Sequence, residues 1–129
     1  MRMWIVSGAM LGFIGVAAGS FGAHGLKTML ESSGRADNWE TAVRYCLVHA
    51  LALAVVGVAA ALPQTAPCRG LVAAAGWCFL VGTLVFSGLL AALALSGLRI
   101  LGAIVPIGGV LMLAGWACLA IAGIQASAE

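Results

Sequence analysis

Four stretches of the chain, residues 4–26, 42–62, 70–97 and 100–124, are almost free of charge and each long enough for a helix to cross hydrocarbon. They take up most of the 129 residues and decide the class of fold. The chain is 64% hydrophobic and only 8% charged, whereas a soluble domain carries about a quarter charged residues. In lipid every backbone polar group must be satisfied within the chain, and continuous apolar runs of this length do so as helices. The expectation is an all-α integral membrane four-helix bundle forming one domain. Short connections around Pro63 to Arg69 and Gly97 to Arg99 make successive helices antiparallel neighbours. Residues 27–41 form a polar element at the membrane interface.

Six basic residues against four acidic ones leave too little positive charge for phosphate neutralisation, so no nucleic-acid partner is expected. Cys46, Cys68, Cys78 and Cys118 show no C-x-x-C spacing, and three lie in apolar runs where a thiol acts as a small hydrophobe. Neither a disulfide framework nor structural zinc is expected. The first run follows Arg2 and ends in small residues, as a secretory signal does, but it is longer than a usual signal core and is read as a retained span. An even number of spans puts both termini on one side. Arg2 and Arg69 lie on that side, and Lys27, Arg35, Arg44 and Arg99 on the other, a bias too small to orient the chain.

Gly8, Gly12, Gly15, Gly19 and Gly22 recur at intervals of four, three, four and three, which lines them along one seam of the first helix. Ala50, Ala54, Gly57 and Ala61 do the same on the second. Lipid supplies no hydrophobic drive between helices, so association rests on close backbone approach, and small residues allow it. The two seams are expected to pack within the chain, with a homodimer face as the alternative.

Counting from the end opposite the termini places His49, Ser87 and Pro106, on three helices, at a similar depth, roughly 10 to 15 Å at 1.5 Å per residue. Pro106 frees the carbonyl of Gly102, which His49 or Ser87 is placed to satisfy. Tyr45 lies one turn from His49, and His24 and Arg99 lie shallower on the same side. Together His24, Tyr45, His49, Ser87, Arg99 and Pro106 make a candidate polar cluster. Two imidazoles, with Cys46 as a third ligand, offer a weak candidate for metal or haem. The plainer reading is structural hydrogen bonding between helices, with no cofactor.

Glu31, Asp37 and Glu40 lie in the polar element and Glu129 ends the chain, so no carboxylate sits at mid-membrane for proton coupling. The first helix also lacks the glutamate of the small four-helix multidrug exporters. Asp37 or Asn38 is expected to cap a helix starting near Trp39, with Glu40 and Arg44 paired across one turn.

The segments GSFGAHGL at Gly19 to Leu26, WETAVRYCLVHALAL at Trp39 to Leu53 and FSG at Phe86 to Gly88 come in a fixed order. LALSGLR at Leu93 to Arg99, PIGG from Pro106, and Gly115-Trp116 continue it. This ordered set resembles the bacterial membrane family designated domain of unknown function 423, whose animal relatives are called transmembrane protein 256. The pattern falls on Gly22, Ala23, His24, Trp39, Tyr45, His49, Gly88, Pro106, Gly108, Gly109 and Trp116. Leu90 and Ala91 stand where the family often has an aromatic, and residues 125–129 lack its frequent basic tail. The resemblance implies a four-span protein of the bacterial inner membrane and carries no established reaction. The expected role is non-enzymatic, with the polar cluster open to a small ligand, a lipid headgroup or a partner. The alternatives are a homo-oligomer or accessory subunit docking through edges such as Trp77 and Trp116, and a small transporter or haem or metal carrier using His24 and His49.

Overall fold

The computed structural model describes residues 1–126. Glu129 and the rest of the tail beyond residue 126 lie outside the described residues. Helix α1 runs Arg2–Ala23, α2 Lys27–Ser32, α3 Ala36–Ala59, α4 Arg69–Ser96 and α5 Leu101–Gln125. A 3₁₀ turn, Pro63–Cys68, leads directly into α4. All but α2 are long and apolar enough to cross a membrane, so the chain is an all-α, multi-pass membrane bundle. Helices α3 and α4 form its centre. Helix α1 packs chiefly on α3 and α5 chiefly on α4, and the two outer helices share no extensive contact.

The small-residue seams of α1 and α3 meet each other. A Cβ at Gly8 would lie 2.6 Å from the Ala50 carbonyl oxygen and 3.2 Å from the Ala54 nitrogen. One at Gly57 would lie 3.2 Å from the Ile5 nitrogen, and one at Gly15 2.7 Å from Leu47 Cδ2. Gly12 rests against Ala50 and Gly19 against Val43 at ordinary contact distance. Backbone therefore touches backbone at the terminal end of the seam, and side chains fill it toward α2. Helices α4 and α5 cross as closely at Gly82 and Gly108, where a Cβ on either would come within 3 Å of the other's carbonyl oxygen. Larger side chains fill the remaining gaps: Trp4 lies over Gly76 and Phe79 over Gly115.

The polar element at 27–41 is mostly helical. Helix α2 ends with Gly34 at φ +69°, and the amides of Gly34 and Arg35 donate to the carbonyls of Glu31 and Leu30. This satisfies two carbonyls at the end of α2 and needs a left-handed residue, which glycine provides without a Cβ clash. The chain then re-enters a helix at Ala36, earlier than Trp39. Neither Asp37 nor Asn38 caps it, because both already lie within its first turn, and no side chain bonds its free amides. Among the described residues no ion pair forms, so Glu40 and Arg44 stay apart. The pair would gain only tenths of a kcal/mol at an exposed site, too little to hold two long side chains in one geometry (about 0.3–0.5 kcal/mol).

Arg35 fastens this element to the far half of the bundle. Its Nε donates to the Ala94 carbonyl at 2.7 Å, at the C-terminal end of α4 where carbonyls lack helical partners. Gly97, at φ +72°, turns the chain there, and its amide donates to Leu93 at 2.7 Å. A Cβ on Gly97 would also lie 2.8 Å from Arg35 Nη1. The guanidinium thus meets the negative end of the helix dipole. Arg35→Met is expected to lower unfolding stability in detergent by about 2 kcal/mol, with Arg35→Lys recovering part of it. Equal thermal midpoints for all three proteins would show that the contact holds nothing.

Candidate functional site

The six polar-cluster residues do not gather at one point. His24 is exposed at the end of α1, Arg99 is exposed in the turn before α5, and Pro106 faces outward on an unbroken α5. No side chain donates to the Gly102 carbonyl among the described residues, so neither His49 nor Ser87 plays that part. Three separate local structures result: a node at His49, a cavity beside Ser87, and a charged cavity at the interface.

At the node, His49 is 4% exposed. Its Nδ1 lies 2.8 Å from the Tyr45 carbonyl oxygen, and Trp116 Nε1 lies 3.2 Å from its Nε2. A carbonyl only accepts and an indole N–H only donates, so the neighbours select the neutral ring with its proton on Nδ1. Rings surround it: Phe79 at 5.5 Å, Tyr45 at 6.1 Å and Trp116 at 6.1 Å between centroids. Tyr45 in turn meets Phe86, tilted by 34° with centroids 4.5 Å apart. Either ring nitrogen could ligate a metal or haem iron, and both are already engaged. His24 stands apart, and Cys46 donates to the Leu11 carbonyl. Among the described residues no cluster of three metal-ligating side chains occurs, and the candidate ligands do not fit a shared ion.

A cavity of about 160 Å³ opens between α1, α3 and α4, with Ser87, Thr83 and Cys46 in its wall. Ser87 is 7% exposed, and its hydroxyl has no hydrogen-bond partner.

At the interface, a cavity of about 600 Å³ lies between the end of α1, α2 and the start of α3. Trp39 forms its inner wall. The Trp39 Nε1 donates to the Ala18 carbonyl at 2.9 Å, and the ring occupies the space that a side chain on Gly22 would need. Leu30, fully buried, packs in the same cluster as Trp39 and Ala94. Around the rim stand Lys27, Arg44, Glu31 and Glu40. They are two cations and two anions with no ion pair among them. Leu47 lines both this cavity and an apolar groove of about 410 Å³ that runs down the open side of the α1–α3 seam.

Charge at 27–41 and glycine at 22 are visible in the sequence, but the cavity they enclose depends on α2 folding back beside α1 and α3. Arg35 and Ala94 are separated by 59 residues, and no local pattern links them. Trp116 matches the family pattern but carries no sign of its bond to His49.

The family model described as "Protein of unknown function (DUF423)" matches residues 18–109, which includes the interfacial cavity and the Gly82–Gly108 crossing. UPF0382 membrane protein SH2409 of Staphylococcus haemolyticus is 43% identical over 121 residues, 94% of each chain. A UPF0382 membrane protein of Staphylococcus epidermidis is 42% identical over 125 residues, 97% of this chain and 98% of its own. UPF0382 membrane protein YwdK of Bacillus subtilis is 37% identical over 125 residues, with the same coverage. No solved structure matches the chain. Four apolar spans and near full-length likeness to these membrane proteins lead to one conclusion: the chain belongs to the DUF423 family.

Proposed function

We propose that this is a non-enzymatic lipid-binding protein of a bacterial inner membrane, with both termini on one side and a zwitterionic phospholipid seated in the interfacial cavity. The observation that carries the reading is the junction at Leu47 between a charge-balanced rim and an apolar groove. In this reading Lys27 and Arg44 take the phosphate, and Glu31 and Glu40 take the ammonium, all four lining the cavity. An acyl chain then continues below Leu47 along Gly12 and Gly8, where the small residues leave the groove open. The four charges have no partners of their own to give up when the headgroup arrives.

The test is thermal stabilisation of the full chain in maltoside micelles on adding phosphatidylethanolamine or phosphatidylglycerol. Phosphatidylethanolamine is expected to raise the midpoint saturably and phosphatidylglycerol much less. Lys27→Ala combined with Arg44→Ala is expected to weaken that response about tenfold, on the scale of two exposed charge-assisted contacts. Arg99→Ala, which removes an exposed cation away from the cavity, leaves it unchanged. An equal response to both lipids, or an undiminished one in the double variant, sinks the reading.

A further inference from the structure

We propose that the cavity beside Ser87, which shares Trp39 and Val43 with the wall of the interfacial cavity, is a second binding site and takes a single six-membered ring bearing an oxygen, the head of a membrane-soluble molecule. Its volume, about 160 Å³, is close to that of the engineered apolar cavities of about 150 Å³ that accept benzene. It opens toward lipid past Ile14 and Leu84, 52% and 56% exposed, and past Gly88. Trp39 forms part of the wall and adds aromatic surface to it.

The polar groups of the wall separate into two kinds. Cys46 Sγ donates to the Leu11 carbonyl at 3.4 Å, and Thr83 Oγ1 approaches Met112 Sδ at 3.9 Å, so both are engaged. The Ser87 hydroxyl is not. A serine in a helix ordinarily bonds back to the carbonyl four residues earlier. Ser96 of the same helix does so, with its Oγ 2.6 Å from the Ala92 oxygen. Ser87 forgoes that bond while buried in hydrocarbon, where an unmade hydrogen bond is costly. No existing bond opposes rotation of its hydroxyl toward the cavity. A water molecule is a poor occupant, because it needs two to four polar partners and this wall has one to spare (about 2–4). A lipid tail fills the space but leaves the hydroxyl unmet. A ring with a hydroxyl or carbonyl oxygen fills the space and supplies the missing partner.

Fluorine NMR of the full chain in micelles, titrated with 4-fluorophenol and separately with fluorobenzene, tests this. The two probes share a ring and differ by one oxygen. Wild-type protein is expected to bind 4-fluorophenol saturably and about fivefold more tightly than fluorobenzene, the size of one net hydrogen bond. Ser87→Ala is expected to erase that preference while leaving fluorobenzene affinity intact. At Gly88, which lines the cavity, a Cβ meets nothing within 4 Å, so the backbone has room for a side chain, and Gly88→Leu, with its thermal midpoint checked against wild type, is expected to obstruct the opening and weaken both probes at least about tenfold. Partitioning without saturation overturns the site. Equal affinity for the two probes in wild type, or a preference surviving in Ser87→Ala, overturns the recognition of oxygen. Unchanged binding in Gly88→Leu places the probes elsewhere and overturns the assignment of the cavity.

Discussion

Gly108→Ala is expected to cost the bundle about 3 kcal/mol, the upper end of what added volume in a packed core produces. The reason is the identity of the atoms it meets. A Cβ there would lie 2.5 Å from the Phe86 nitrogen and 2.7 Å from the Gly82 oxygen, both backbone, with Phe86 Cβ at 2.9 Å. A flexible side chain could swing aside, but two helix backbones separate only by moving α5 away from α4. That movement would also draw Trp116 from His49 and Phe79. Gly123→Ala supplies the control, since a Cβ there meets nothing within 4 Å and alanine is the better helix former by about 1 kcal/mol. Unfolding in mixed micelles of rising dodecyl sulfate content reads both variants. If Gly108→Ala unfolds with Gly123→Ala, the close crossing of α4 and α5 is not a stabilising contact.

The contrast between the two helix pairs explains what a sequence can convey about such a fold. The seam of Gly8 to Gly22 answers the seam of Ala50 to Gly57, and each is visible because its spacing repeats within one helix. The crossing at Gly82 and Gly108 has one residue on each helix and no repeat. Beside Pro106, Gly108 reads as a softened helix rather than as a contact. The polar layer shows a related limit. Counting residues fixes height in the membrane, but each residue also turns the side chain by about 100° around the axis, and height carries no information about that angle. His49 turns inward to Phe79 and Trp116, while Pro106 at similar height turns outward. The interfacial cavity lies beyond such counting, because it depends on Gly34 reversing the chain and Arg35 fastening it to α4. Its rim charges are plain in the sequence as charges, and their shared enclosure is not.

His49→Ala is expected to be among the most damaging substitutions in the chain, at about 4 kcal/mol, because two costs coincide. Removing a ring packed against Phe79, Tyr45 and Trp116 leaves a void, and core truncations of this size lose about 2–5 kcal/mol. The Trp116 N–H also loses its acceptor at a depth where no water replaces it, which costs about 1–3 kcal/mol more before relaxation. A double-mutant cycle separates the terms. His49→Leu keeps most of the volume but leaves the indole N–H unmet, and Trp116→Phe leaves the imidazole nitrogen unmet. With both replaced, neither group is orphaned, so the pair is expected to lose less than the sum of the singles by about 1 kcal/mol, within the range found for hydrogen bonds between membrane helices. Strict additivity would mean that the 3.2 Å contact carries no energy and that His49 matters through packing alone. The same cycle bears on the proposed lipid site, because the node and the interfacial cavity share α3 but no lining residue. Phosphatidylethanolamine is expected to raise the thermal midpoint of the doubly substituted protein by the same increment as wild type, which identifies His49 and Trp116 as a hydrogen-bonded tie between α3 and α5 rather than as part of the lipid site.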